Sequence, residues 1–202
     1  MRKPTGLGGH PLGLYAANER SNWSPPMNAA RTLALVFVLA VGAPHALSPA
    51  YAQGAIATPA AVPALAGQHP AEYYKRAGEL FKEGKKDEAV FVFYLGQLRY
   101  RTFLLAKPGG DPTGDPAIFA SLSQVVGKPI NQYAFGDIPG LARTIDTVLA
   151  YDTANPDTFV PTAQFPKVHD DVRNGLTAMK TKMLGEADRI RADRLKNGLE
   201  NR

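Results

Sequence analysis

Beyond residue 70, apolar residues recur at the spacing of a helix rather than that of a strand. A first helix is predicted to begin near Pro70 and to end at the turn around Gly84, because glycine adopts the left-handed conformation that often follows a last helical turn. Four apolar residues share one face of this helix: Tyr73, Ala77, Leu80 and Phe81.

Residues 88–105 are apolar on almost every side of a helix. Asp87 precedes this segment and is suited to cap it. A helix without a polar face has to be covered on most sides, so the segment is predicted to be the central helix of the fold. Its β-branched and aromatic residues also allow a strand, but its length favours a helix.

Shorter elements are predicted further along the chain. Glycine and proline indicate a loop over residues 107–115, after which an acidic cap and a first-turn proline start a helix over 117–126. Residues 127–136 are predicted to be a connection. Asp137 then caps a helix of about 138–152, whose apolar residues again lie on one face.

The last predicted element is the longest. Residues 156–166 contain several prolines and are expected to lie extended over the core. From about 167 to 197 apolar residues recur three and four apart, and they become sparse after Ile190, which predicts a packed helix with a solvated end. The fold class is therefore predicted to be all-α, an irregular helical bundle with a long C-terminal helix.

The N-terminal region has the pattern of an export signal. Arg31 precedes an apolar run over residues 32–42, and Ala50-Tyr51-Ala52 is a cleavage motif of small residues. The run is shorter than the roughly 20 residues that span a bilayer. The sequence therefore predicts cleavage between Ala52 and Gln53, and a periplasmic or secreted product without a membrane span.

This signal begins late in the chain. Residues 1–26 carry no apolar period, and Met27 opens a compact signal, which favours Met27 as the true start over a genuine N-terminal extension. Residues 53–69 are rich in alanine and proline and are predicted to be a flexible or extended linker. Residues 70–202 then form a single helical domain with one core.

Composition narrows the chemistry that the chain can perform. Because the sequence has no cysteine, disulfides, thiolate metal ligands and a lipoprotein anchor are excluded. Removal of residues 1–52, with four basic residues and one acidic residue, reduces the totals of 23 and 18 to 19 and 17. Basic residues near the end of the chain alternate with acidic ones, so no nucleic-acid partner is predicted: Arg189, Arg191, Arg194, Lys196 and Arg202.

Residues 71–98 resemble a single tetratricopeptide or Sel1-like helix pair. Gly84 lies at the turn position of that repeat, and Asp87-Glu88-Ala89 matches the start of its second helix, whereas Arg76 replaces an expected apolar residue. The resemblance implies a helix hairpin of the kind that builds protein-binding surfaces, and the lack of a second copy argues against a repeat array. Five further positions match the repeat: Tyr73, Ala77, Leu80, Phe93 and Gly96.

Few residues are placed for catalysis or metal binding. His69 falls in the predicted linker, and His169-Asp170-Asp171 is typical of a helix start, because metal ligands on a helix need wider spacing. Asp111 and Asp115 indicate turn chemistry and a helix cap rather than a calcium loop. No catalytic residue, metal or cofactor is predicted.

The best candidates for a binding role lie where the apolar second helix acquires polar residues. Arginine beside aromatic residues is typical of a protein-binding hot spot. The alternative is an internal role, in which Arg99 or Arg101 pairs with Asp111 or Asp115 and fixes the loop. The candidate set comprises Tyr94, Gln97, Arg99, Tyr100 and Arg101.

The function predicted from the sequence is that of an exported, non-enzymatic module that binds another protein. One concrete form is an immunity-type inhibitor of a toxin delivered to the periplasm. A structural or assembly factor of the cell envelope is the alternative. An enzyme that uses Glu72, Glu79 or Glu83 is less favoured, because these carboxylates fall on a charged helix face.

Overall fold

The computed structural model describes residues 57–202, which form helices and turns without a strand. The predicted export signal, the Met27 start and the cleavage site lie outside these residues. The all-α prediction, an irregular bundle with a long C-terminal helix, is confirmed for the described residues. The helices are α1 Pro70–Lys82, α2 Lys86–Ala106, α3 Asp115–Leu122, α4 Lys128–Ala134, α5 Ile138–Ala154, α6 Pro166–Gly185 and α7 Ala187–Lys196.

Helix α2 lies at the centre of the bundle, as predicted. Every residue from Ala89 to Tyr100 is buried, and α1, α4, α5 and α6 pack around this stretch. Gly96 permits the close approach of α1, because a Cβ atom at this position would lie 2.5 Å from the Cβ of Tyr73. Burial on all sides explains why the α2 sequence has no polar face.

The turn between α1 and α2 forms as the sequence indicates. Gly84 has a φ of +82°, and the backbone amide of Lys85 donates to the carbonyl of Leu80 at 2.9 Å, which closes the end of α1. The two helices pack against each other along their length. Their likeness to a tetratricopeptide pair stays a prediction.

The residues before α1 are packed rather than extended. Residues 57–69 form turns and a short 3₁₀ helix, Pro63–Leu65, and the side chain of Val62 is buried in the core. Burying an aliphatic side chain of this size stabilises a fold by about 1.5–3 kcal/mol, and Leu65 in the 3₁₀ helix adds a partly buried contact with the same core. The described part of the predicted linker therefore belongs to the domain.

Two further segments differ from their predictions. Residues 127–136 are mostly helical, because a π-helical turn over Ser123–Gly127 leads directly into α4, where Pro129 occupies a first-turn position that tolerates proline. The predicted segment 167–197 is divided at Glu186 into α6 and α7, after Gly185, a residue with a poor helix propensity.

Candidate functional site: an apolar surface on helix α3

Four of the five predicted binding residues lie inside the protein. Tyr94, Gln97, Arg99 and Tyr100 are buried, and only Arg101 is exposed. The prediction that α2 reaches the surface is wrong for these four residues, because neighbouring elements cover the helix as far as Tyr100, and it holds for Arg101 alone among the five. Four members of the set are therefore inaccessible to a partner in this conformation.

Arg99 belongs to a buried charged network that joins α2, α5 and α6. Its guanidinium lies 3.5 Å from one carboxylate oxygen of Asp152, donates to the carbonyl of Asn155 at 3.0 Å and contacts the Tyr73 hydroxyl. Arg173 approaches the other carboxylate oxygen of Asp152 at 2.8 Å. Because Asp152 is completely buried and Arg99 is only 4% exposed, these charges depend on one another rather than on water.

The loop before α3 is held by contacts other than the predicted arginine pairs. Asp111 accepts hydrogen bonds from the backbone amide and the hydroxyl of Thr113, each at 2.8 Å, and these bonds lower the pKa of Asp111. Arg99 pairs with Asp152 instead of with Asp111 or Asp115. The predicted internal role of Arg99 is therefore realised with a different partner.

His69 ties the start of α1 to the start of α3. Its Nδ1 accepts the backbone amide of Ala71 at 3.2 Å, so Nε2 carries the proton and lies 3.2 Å from Asp115, the first residue of α3. The predicted place of His69 in a linker is wrong, because its ring caps α1. The ring lies edge-on to three aromatic rings, with centroids 5.2–5.5 Å away: Tyr100, Phe103 and Phe159.

Helix α3 is apolar on its exposed side as well as on its inner side. On the inner side, Phe119 packs against the rings of Tyr74 and Tyr100. On the outer side, Ile118 is 46% exposed, and Val125 in the π-helical turn is 72% exposed. Six of the eight residues of α3 are apolar, yet none of the eight is fully buried.

Arg101 borders this exposed region. Its guanidinium carbon lies 5.6 Å from the centroid of the Phe119 ring, a distance at which a cation interacts with an aromatic face. We call the exposed side chains of this region, together with their arginine neighbour, the α3 surface. Its apolar members are Ala117, Ile118, Ala120 and Val125, its cation is Arg101, and the exposed polar residues Ser121 and Gln124 lie among them in the sequence.

The remaining candidates have structural partners. His169 is buried in α6, with Nε2 2.9 Å from the carbonyl of Val160, so it holds the preceding turns against the helix. Glu79 and Glu83 both contact Arg76, at 3.0 and 3.1 Å, on the exposed side of α1. Glu72 lies 3.5 Å from Lys75 on the same helix.

The described residues contain neither a cluster of three or more metal-ligating side chains nor a helix that could cross a bilayer. In the last helix, Arg191 and Lys196 contact acidic residues three positions away, as the alternating charges suggest. Arg194 and Arg202 instead donate to backbone carbonyls of α4, those of Gln132 and Tyr133.

Sequence reasoning missed the partners of Arg99, although a signal for one of them is present. Asp152 continues the spacing of Ile145 and Val148, so it falls on the apolar face of α5. A carboxylate in such a position is buried and needs a cation inside the fold. The position of Asp152 on this face therefore predicts a buried carboxylate, but it does not identify the arginine that pairs with it.

The network and the α3 surface are thus different kinds of feature. The first is buried and its charges pair with one another inside the protein, whereas the second is mainly apolar, exposed and bordered by a cation. Comparison with known proteins adds no relative to this description. No protein-family model, no curated protein and no solved structure matches the chain.

Proposed function

We propose that the chain is an exported, non-enzymatic protein-binding module whose partner binds to the α3 surface. The observation that carries this proposal is a predominantly apolar helix that the fold holds in place without fully burying any of its residues. Apolar side chains at the centre of a patch, with an arginine and an aromatic residue beside them, are typical of energetically important protein contacts. Burial of Ile118 and Val125 by a partner would remove apolar area from water and favour association.

The α3 surface is held rigidly from below. Phe119 lies against two buried tyrosines, and Asp115 is held at the start of the helix by His69 and by the hydroxyl of Tyr100 at 3.3 Å. A surface that is ordered before binding loses less conformational entropy when the complex forms. These contacts support a preformed docking surface rather than one that folds on its partner.

The export signal supports a location in the periplasm or outside the cell for this interaction. A small exported protein with a rigid apolar surface suits an inhibitor that covers part of another protein. The concrete form of the proposal is therefore an immunity-type inhibitor, in which the α3 surface occupies a complementary site on a toxin delivered to the same compartment.

Affinity capture with matched surface variants tests this proposal. Residues 53–202 are immobilised as the unaltered sequence and as the Ile118→Asp, Val125→Asp and Leu195→Asp variants, and each is exposed to periplasmic extract. Leu195 is the control, because it is 63% exposed and lies on α7, outside the α3 surface. We expect a protein that is retained by the unaltered chain and by Leu195→Asp but lost with the other two variants.

The captured protein is then purified and titrated against the same variants by calorimetry. Loss of at least tenfold in affinity with Ile118→Asp or Val125→Asp, together with unchanged melting temperatures, is the expected result. Equal affinity for all variants would show that the partner binds elsewhere and would overturn the assignment of the α3 surface.

A further inference from the structure

The segment after α7 turns back and lies against α4. Gly198 has a φ of +70°, and the amides of Gly198 and Leu199 donate to the carbonyls of Leu195 and Arg194 at 3.1 and 2.9 Å, a pattern that reverses the chain after a helix. Residues 199–202 consequently run beside the turn that joins α4 to α5. None of these residues belongs to the α3 surface.

Arg202 is bound as a ligand would be. Its guanidinium carbon lies 3.6 Å from the centroid of the Tyr133 ring, while one terminal nitrogen donates to the carbonyl of Tyr133 at 3.1 Å. Its backbone amide donates to the carbonyl of Gly136 at 2.7 Å. One residue is therefore recognised through its charge, its planar group and its main chain.

Arg194 fixes the approach of this segment. It is 3% exposed, and its guanidinium donates to the carbonyls of Gln132 and Glu200 and to the side-chain oxygen of Asn201. The carbonyl of Gln132 lies 2.8 Å away and belongs to α4, so Arg194 links the returning segment to that helix. Burial and the nearby charge of Arg202 lower the pKa of Arg194.

The cleft that receives Arg202 extends beyond it. A space of about 370 Å³ borders Arg202 and Tyr133, continues over an apolar floor and reaches two carboxylates. One of these, Asp87, accepts the hydroxyl of Tyr133 at 2.9 Å, and Lys86 approaches the same ring at 5.3 Å. The cleft further includes Val90, Ala134, Asp137, Gly140, Leu141, Arg143 and Thr144.

We propose that the Tyr133 cleft recognises an arginine side chain on a segment of a partner protein, and that Arg202 occupies the arginine position in cis. The ring face and the Tyr133 carbonyl together require a cation that is planar and that donates in its own plane. The guanidinium of arginine is a planar cation that donates hydrogen bonds in its own plane. The ammonium group of lysine carries the charge but is not planar. The unfilled remainder of the cleft accommodates the residues beside that arginine.

The cis segment acts as an internal competitor. A tethered group reaches an effective concentration in the millimolar range, so a partner arginine gains access only by displacing Arg202. This arrangement explains why a recognition cleft would be occupied by the chain's own residues in the isolated protein. Binding of a partner arginine is therefore measured after the cis contacts of Asn201 and Arg202 have been removed.

The test measures binding of a labelled peptide with the sequence of residues 197–202, acetylated and amidated at its ends, by fluorescence anisotropy. The proteins are residues 53–202, the double variant Asn201→Ala/Arg202→Ala, and Arg191→Ala. Arg191 is the control, because it is an arginine on α7 that pairs with Asp188 rather than with the cleft. We expect the double variant to bind at least tenfold more tightly than the other two.

Two changes test whether the Tyr133 cleft recognises the arginine of the peptide specifically. Replacing it in the peptide by lysine or citrulline should weaken binding at least tenfold, and adding Tyr133→Leu to the double variant should abolish it. Should the double variant fail to fold, Arg202→Gln also tests whether loss of the cis arginine opens the cleft to the peptide, because it keeps most of the side chain and removes the charge. No binding by a folded variant at millimolar peptide, or equal binding of all three peptides, would overturn the proposal.

Discussion

Replacement of Asp152 by alanine is expected to destabilise the protein by about 3–5 kcal/mol, the range observed when one member of a buried ion pair is removed. The carboxylate is completely buried between Arg99 and Arg173, so its loss leaves two guanidinium groups facing each other. Arg99 is almost fully buried and cannot recover its hydration, which places the cost at the upper part of that range. Domains of this size have a total stability of about 5–15 kcal/mol.

The same geometry predicts an order among four substitutions. Arg99→Ala should cost less than Asp152→Ala, because Asp152 keeps Arg173 as its partner. Arg173→Ala should cost less again, since the Arg173 side chain is partly exposed. Arg101→Ala, two residues from Arg99 but on the surface, should stay within about 0.5 kcal/mol of the unaltered protein.

Urea unfolding of residues 53–202, followed by far-ultraviolet circular dichroism, measures these differences as changes in midpoint at constant slope. A double-mutant cycle of Arg99→Ala and Asp152→Ala should deviate from additivity by 0.5–3 kcal/mol, the range typical of residues that share a network. If Asp152→Ala costs no more than Arg101→Ala, the network does not stabilise the fold and the reasoning fails.

Three further outcomes can be measured with the same protein. Phe93→Ala should lower the unfolding free energy by about 3–5 kcal/mol, because the ring is fully buried in α2. Gly96→Ala should cost roughly 1–3 kcal/mol, because the added carbon would overlap the Cβ of Tyr73 and push α1 away. Burial raises the pKa of Tyr74 and of Tyr94 above the ordinary value of 10.0, so the unfolded state releases these protons first, and stability should fall as the pH rises above about 10. Absorbance of phenolate near 295 nm should then increase together with the loss of helix.

Each of these outcomes has a result that contradicts it. A cost below about 1 kcal/mol for Phe93→Ala would mean that α2 is not central. Unchanged stability of Gly96→Ala would mean that α1 and α2 are not in contact at this position. Phenolate formation by Tyr74 and Tyr94 at pH 10 without any loss of helix, assigned by comparison with Tyr74→Phe and Tyr94→Phe variants, would show that the two side chains are accessible to water in the folded protein.

Much of the fold was accessible from local sequence signals. The apolar spacing of α1, the glycine after it and the unusually apolar α2 each indicate a helix and its burial without knowledge of its neighbours. Pro129 misled the interpretation, because proline both interrupts helices and begins them, and only the structure shows that it occupies a first turn. The burial of Val62 was missed because the alanine- and proline-rich composition around it is typical of an open segment.

The candidate site was less accessible for a physical reason. Whether Arg99 is a surface hot spot or an internal ion pair depends on Asp152, which lies 53 positions further along the chain. Composition around Arg99 is the same in both cases. The α3 surface was not predicted, because an apolar helix is ordinarily assumed to be buried. Its exposure depends on where the other helices lie, and the sequence of α3 carries no information about that.

The enclosure of α2 over Ala89–Tyr100 has a consequence for the cooperativity of the protein. Helix α1 precedes α2 in the sequence, whereas α5 and α6 follow it, and all three pack against it. Contact with α1 therefore leaves part of α2 exposed to water until α5 and α6 have also packed against it. Amide hydrogens between Phe91 and Leu98 can therefore exchange with solvent only when the whole bundle opens, and their exchange rates report the global free energy of unfolding. A chain that stops before α5 would leave the most apolar helix uncovered, so partial folding offers no stable intermediate.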